Sequence, residues 1–317
     1  MRLVHQKILR ITPVVPSDRL FDMFALMVDG MFESMGLVLR DHTPTIHELG
    51  EELQRKLKGA DKDGLASVVM NQHMETVARR SYKSWDKMSP TSYHKFLDMI
   101  RERGHGGVFE HGVIYVEILT DRGVTHELVR HRIASYLQES TRYCDYNDGH
   151  VEFVVPVELE HVIPDGYILK TGTWDRFLTV PGASGNTNAA WYDAADGEEL
   201  AFWDKMHNEE DSNGPMHQLG EDTADYLDTC TYAEQQYKRI RSRKNADGRD
   251  RRKAQYARGC LPNWLKTEVG MTINLRSLRN FLELRTAKAA HPQFRPLAQK
   301  ILDYCKQYYP EVVEDIS

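Results

Sequence analysis

The sequence predicts an α+β protein with helix in excess, and three observations carry that prediction. Apolar residues recur at three- and four-residue spacing in several segments from residue 71 onward. Two short stretches rich in β-branched and aromatic residues interrupt them. The 317 residues are 41% hydrophobic and 28% charged, ample apolar content for a core, which excludes whole-chain disorder and low-complexity fibres.

Each element follows in order. Residues 1–70 mix an apolar run, LFDMFALMVDGMF, with HELGEELQRKLKGADKDG, which suits an exposed helix and a turn. They hold no chemical motif and read as an N-terminal extension. NQHMETVARRSYKSW (71–85) reads as a helix, and SYHKFLDMIRERG (92–104) as another, with Phe96, Leu97 and Ile100 on one side and Gly104 as its stop. RGHGGVFEHG (103–112) is a glycine-rich turn, and GVIYVEILT (112–120) a strand. From Val124 to Leu137 a helix is predicted that is apolar nearly all round, because Val124 and Leu128 project opposite Ile133 and Leu137. Such a helix should be buried. An irregular polar stretch precedes a second strand at VEFVVPV (151–157). Residues 160–230 change character, with a Pro/Gly/Asn/Thr-rich part and then an acidic part, and read as an insertion. A basic run follows at 237–258, then a long helical pattern, TINLRSLRNFLELRTAKAA, a His-Pro break at 291–292, and a final helix through Tyr308. The domain reading is therefore an extension at 1–70 and one domain at 71–317 with an insertion at about 160–230.

Composition narrows the function classes. With 41 Lys+Arg against 47 Asp+Glu, the net charge of -6 is not that of a general nucleic-acid binder. No stretch approaches the roughly 18 apolar residues of a membrane helix, and charge and proline break the opening before a signal-peptide core can form. The four cysteines form no CxxC pair, so neither zinc knuckle nor disulfide framework is indicated. The expectation is a soluble, cytoplasmic protein with no membrane or nucleic-acid partner. The basic run keeps one alternative open, a nucleic-acid-binding module, beside the reading of two solvated helix faces of opposite sign.

Three constellations could carry chemistry. Within ELVRHRIASYLQESTRYCDY (127–146), Arg130 and Arg132 stand two residues apart, about 200° around a helix axis, so on the predicted helix they could serve two anions. Ser140 and Arg142 add a hydroxyl and a third guanidinium, whose planar fork suits phosphate. The alternative is internal pairing with Glu127, Glu139 and Asp145. In INLRSLRNFLELR (273–285), Leu278, Phe281 and Leu282 form an apolar stripe, while Arg276 and Asn280 lie one turn apart. That polar pair suits a flat, heteroatom-rich ring or an ordinary solvated face. In the glycine-rich turn, His105, Glu110 and His111 invite a metal reading, but the spacing lacks any HExxH-like pair, so no metal is predicted.

Together these residues resemble the flavin-dependent thymidylate synthases. Arg130-His131-Arg132, seven residues and then Ser140 match the family's RHR-x7-S signature. ARRSY (78–82), the GH…FEH turn, Arg258 in ARGCLP and NLRSLRNFLELR (274–285) follow in the right order. The resemblance covers about residues 71–158 and 232–305. It implies an antiparallel sheet flanked by helices, with residues 1–70 and 160–230 as additions. It also implies conversion of dUMP to dTMP, with methylenetetrahydrofolate as carbon donor and FAD, reduced by NADPH, as hydride donor, in a homotetramer. A related enzyme that alters the pyrimidine or the added group, for instance by hydroxymethylation, is the nearest alternative.

The resemblance also implies roles. Glu127, Arg130, Ser140, Arg142 and Arg258 match dUMP-binding positions. Ser81, His105, His131, Arg132, Ile133, Gln138, Asn274, Arg276 and Asn280 match flavin positions. Arg285 matches the arginine that activates the uracil ring. The sequence departs at Gly107, where some members carry a hydroxyl residue, and at Ala289, where some carry histidine. Cys144 and Cys260 sit in no activating motif and read as structural.

Overall fold

A computed structural model describes residues 1–14, 61–89, 91–147, 149–163, 165–166, 215–244 and 253–317. The expectations for residues 15–60, most of the 160–230 insertion and the middle of the basic run lie outside the described residues. The fold is α+β, with a four-stranded antiparallel sheet and flanking helices. In chain order the strands are β1 (Arg2–Val4), β2 (Lys7–Pro13), β3 (Val113–Asp121), β4 (Ala134–Gln138), β5 (Glu152–Val154) and β6 (Lys266–Asn274). The helices are α1 (Lys62–Arg79), α2 (Ser92–Glu102), α3 (Arg122–Leu128), α4 (Pro215–Arg241), α5 (Ala254–Ala257), α6 (Leu275–Thr286), α7 (Arg295–Tyr308) and α8 (Pro310–Val313). The larger sheet has the order β2-β3-β6-β4, and β1 pairs with β5 in a separate parallel ribbon, Leu3 opposite Phe153.

The chain divides into two compact units, one of residues 1–7, 118–130 and 137–269, the other of 8–117, 131–136 and 270–317. In the first, Leu3, Phe153, Val155, Leu159 and Leu265 form a core with one stripe of α4. That stripe is Tyr226, Cys230 and Ala233, spaced four and three residues apart, the interval that returns a helix to the same side. In the second unit, α6 buries Leu275, Leu278, Phe281 and Leu282, and α7 buries Leu297, Ala298, Ile301, Leu302 and Cys305, by the same rule. Helix α2 ends as the sequence predicts: Gly104 takes φ +69, a backbone conformation that glycine adopts without a Cβ penalty.

Two sequence readings require correction. The helix expected from Val124 to Leu137 stops at Leu128, residues 129–133 form a turn, and Ala134–Gln138 is a strand. Two backbone bonds, Val129 N–H to Thr125 O at 3.1 Å and Arg130 N–H to Glu127 O at 3.1 Å, close the helix end. Beyond it, the chain adds to a sheet edge, where Glu139 N–H donates to Glu268 O at 2.9 Å. Pairing along that edge satisfies the backbone groups that a continued helix would have satisfied internally. The expected burial fails with the helix, since Ile133 is 72% and Leu137 84% exposed. Arg130 and Arg132 are exposed too, so neither is a buried cation projecting from a helix.

The second correction is β6. The helical pattern read from Thr272 begins only at Leu275. Thr267, Val269, Met271 and Ile273 are buried in alternation, the period of a strand with one covered face. Asn274 marks the switch, its side-chain Oδ1 accepting from Ser277 N–H at 2.8 Å as the N-cap of α6.

Candidate functional site

The five residues matched to nucleotide binding all fall in the first unit. Asp121 caps α3 by accepting from Val124 N–H at 2.7 Å. Glu127 lies near the end of that helix, and Arg130 in the turn that follows it. After β4, residues 141–143 turn back, with Tyr143 and Cys144 N–H donating to Ser140 O at 3.1 and 2.9 Å. The Ser140 hydroxyl accepts from Arg142 N–H at 3.3 Å. Buried Thr141 takes a hydrogen bond from Arg258 Nη1 at 3.1 Å. This one turn therefore brings Ser140, Arg142 and Arg258 together, although Arg258 stands more than a hundred residues away. Thr141 is the residue that sequence reasoning missed, and its only signal was its place between Ser140 and Arg142.

Internal pairing does not consume these guanidiniums. Among the described residues, no ion pair involves Arg130, Arg132, Arg142 or Arg258. Two of the carboxylates that could have neutralised them are engaged elsewhere. Asp145 meets Arg241 at 2.5 Å and accepts from the Tyr237 hydroxyl at 3.0 Å. The Arg241 hydrogen bond holds that carboxyl below its ordinary range. Glu139 accepts from the Tyr146 hydroxyl at 2.9 Å and lies 3.5 Å from Lys266. The basic run likewise spends some of its charge internally: besides Arg241, Lys238 meets Glu234 at 3.0 Å. Gln138, matched to flavin, is also in this unit and donates to Thr125 Oγ1 at 2.9 Å and Thr267 Oγ1 at 3.2 Å.

The other flavin-matched residues and Arg285 fall in the second unit. Arg276 Nη1 meets Glu110 Oε1 at 2.5 Å, joining the start of α6 to the glycine-rich turn that holds His105. A Cβ on Gly106 would sit 3.3 Å from Arg276 Nε, and one on Gly112 would lie 2.6 Å from Leu275 Cδ1 and 2.9 Å from Met74 Sδ. The glycines let α6 and α1 close on the turn. Asn280 is exposed one helical turn beyond Arg276, and Asn274 is held as the cap. Ser81 lies exposed in the single turn after α1. The fully buried Glu75 carboxylate holds Arg79 at 2.6 Å beneath that turn.

Arg285 and His131, two residues of the predicted set, are joined side chain to side chain. Arg285 Nε donates to His131 Nε2 at 3.0 Å, and its guanidinium lies 4.9 Å from the centre of the Phe294 ring. The His131 ring meets Phe281 edge-on at 5.0 Å. Its carbonyl accepts from the Tyr136 hydroxyl at 2.9 Å. Burial pushes that phenol up to about 12, so it remains a donor at neutral pH.

One cavity lies outside these residues. It measures about 400 Å3 and is lined in the first unit by Asp228, Tyr232, Ala233, Gly259, Cys260 and Leu261, among others. Burial and neighbouring Asp225 push the Asp228 carboxyl up to about 6. The Cys260 thiol is raised by burial and donates to Ala257 O at 3.1 Å, which suits structure rather than nucleophilic attack. Among the described residues, no three His, Cys, Asp or Glu side chains cluster as a metal site, and no helix is long and apolar enough to cross a membrane.

Comparison with known proteins bears on the whole arrangement. The chain is 28% identical over 260 residues to a flavin-dependent thymidylate synthase of Mycolicibacterium vanbaalenii, covering 81% of this chain and 82% of that one. It is 25% identical over 226 residues to the enzyme of the same name from Clostridium tetani, covering 71% of each. A solved structure, the UMP/dUMP methylase PolB of Streptomyces cacaoi bound with 5-Br dUMP, aligns with a TM-score of 0.49 at 20% identity, over 77% of this chain and 88% of that one. The family described as thymidylate synthase complementing protein matches residues 66–311. That span takes in the RHR-x7-S segment, the Arg258 turn and all of α6, and the chain belongs to this family.

Proposed function

We propose that this protein is a flavin-dependent thymidylate synthase, converting dUMP to dTMP with methylenetetrahydrofolate as carbon donor and NADPH as reductant. The observation that carries the reading is the set of arginines Arg130, Arg142 and Arg258, which lack carboxylate partners among the described residues; Arg142 belongs to the Ser140 turn and Arg258 donates to Thr141 in that turn. A nucleotide phosphate carries about -1.5 to -2 charges at neutral pH and calls for several fixed donors. Arginine forks and a hydroxyl are the donors suited to it. Glu127 would complete the nucleotide set.

The residues of the second unit fit a flavin. Ile133 offers apolar surface, 72% exposed, and Arg132 a cation for a diphosphate. Arg276, Asn280 and His105 offer polar groups around the glycine-rich turn, with Ser81, His131 and Asn274 completing the unit's set; Gln138 is the matched position in the first unit. FAD, when bound, would supply the hydride. The chain's own contribution is to orient nucleotide and flavin and to place the Arg285 guanidinium where negative charge develops on the uracil ring, an electrostatic task that needs no proton from arginine.

The exposed apolar residues Ile133 and Leu137 lie before and on β4, an edge strand of the larger sheet. A soluble protein seldom leaves such an edge uncovered, which supports a homotetramer; light scattering measures the mass directly. The family match from residue 66 supports reading the chain from about residue 71 as one family domain with an insertion near 160–230. The setting proposed is the cytoplasm.

The test is incubation with dUMP, methylenetetrahydrofolate, NADPH and FAD, with the product identified by mass. dTMP is expected. Unchanged dUMP, or a hydroxymethylated product, rejects the proposal.

A further inference from the structure

We infer that His131 is a positioning residue that sets the direction of the Arg285 guanidinium. The inference rests on the proposed function for its catalytic meaning and on geometry for its substance. A guanidinium carries only donors. The 3.0 Å contact from Arg285 Nε therefore requires a lone pair on His131 Nε2, so the ring is neutral with its hydrogen on Nδ1. His131 is itself held at its ring and at its backbone. Phe281, fully buried on α6, meets its ring edge-on, and the Tyr136 hydroxyl holds its carbonyl.

Arg285 is meanwhile stacked on Phe294, also fully buried. One face of the guanidinium is thus fixed by an aromatic ring and its Nε by an imidazole, and its two Nη groups point away from Nε. The Nε contact restrains a long side chain with several rotatable bonds from turning about the Phe294 ring. With it, the terminal amino groups are held in one direction. Small misplacements of a catalytic group are costly in rate, on the order of 10²-fold for about 1 Å.

His131 thus acts through Arg285, which distinguishes this role from direct contact with flavin. The substitution that separates them is His131→Gln, because the glutamine side-chain oxygen can reach the place of Nε2 and accept the same hydrogen bond. His131→Leu fills similar space and accepts nothing.

The experiment measures kcat, KM for dUMP and FAD affinity in both variants, with a thermal melt to verify folding. His131→Leu is expected to lower kcat at saturating FAD about 10²-fold, with KM for dUMP within about threefold of the parent protein. His131→Gln is expected to recover most of that loss. Equal loss of kcat in the two folded variants overturns the inference, as does loss confined to FAD affinity.

A second measurement needs no turnover. In protein labelled with nitrogen-15 in its histidines, the His131 signals, assigned by their loss in His131→Gln, should show an unprotonated Nε2 and a protonated Nδ1. The Nε2 signal should move in Arg285→Ala. A protonated Nε2, or a signal indifferent to Arg285, overturns the inference even in a protein inactive on dUMP. If dTMP is not formed but the nitrogen signals behave as expected, the proposed function fails and the positioning contact stands.

Discussion

The two units hold their candidate site residues in opposite ways. In the first, Arg130, Arg142 and Arg258 are exposed residues with no carboxylate partner among the described residues, and Arg258 donates to buried Thr141. In the second, Arg276 already holds Glu110, Asn274 already caps α6, and Arg285 is fixed between His131 and Phe294. The difference fits the roles proposed for the two sets of residues. A phosphate dianion is itself the missing partner of exposed cations, so prior neutralisation would compete with binding. A group that stabilises charge appearing only during reaction must be oriented beforehand, because reorganisation at that moment raises the barrier.

That contrast is sharpest at Arg285. Arg285→Ala should lower dTMP formation by about 10²–10³-fold, as loss of one preorganised electrostatic group typically does. FAD uptake, followed by absorbance, should remain nearly intact. Turnover near the parent value would break the comparison outright. Next in size, Arg142→Ala and Arg258→Ala should each weaken dUMP binding by about 10–100-fold, the equivalent of about 1.5–3 kcal/mol for a hydrogen bond to a charged group. Calorimetric titration measures this; Arg142→Ala should barely move the melting temperature, whereas Arg258→Ala also removes the hydrogen bond to buried Thr141 and should lower it slightly.

Gly112→Ala should do the reverse, destabilising the fold by about 1–3 kcal/mol through overpacking without touching a ligand. Its new methyl would press on Leu275 and Met74, and chemical denaturation measures the loss. The smallest effect is expected at Asp228. Its folded value of about 6 lies above the ordinary 3.8, so the folded state holds the proton more tightly. The associated stability is present below about pH 3.8 and is lost as pH rises through about 6. Asp228→Asn should therefore raise the melting temperature at about pH 8 and leave it unchanged at about pH 4. An equal shift at both pH values would place the effect elsewhere.

Much of this was legible in the sequence. The strand at 113–121 and helix α2 with its Gly104 stop follow from local pattern, and the RHR-x7-S segment with Arg258 and Arg285 identified the family. The failures share one cause. Helix-like spacing from Val124 to Leu137 is real, but Ile133 and Leu137 serve a sheet edge, and no window of sequence contains β6, the strand they run beside. Strand β6 was passed over because its buried alternation runs directly into α6 at Asn274, with no turn residue between them.

What the sequence determined alone was residue chemistry and local geometry: which side chains carry fixed charge, where glycine permits a left-handed turn, and which stripes of each helix are apolar. These depend on neighbours within a few residues, so a linear reading captures them. Only the tertiary structure decided which arginines lack a carboxylate partner among the described residues, that Thr141 receives Arg258, and that His131 meets Arg285. Each of those contacts joins residues more than a hundred positions apart, and whether a charge is neutralised, capped or left for a ligand depends on what the fold brings beside it.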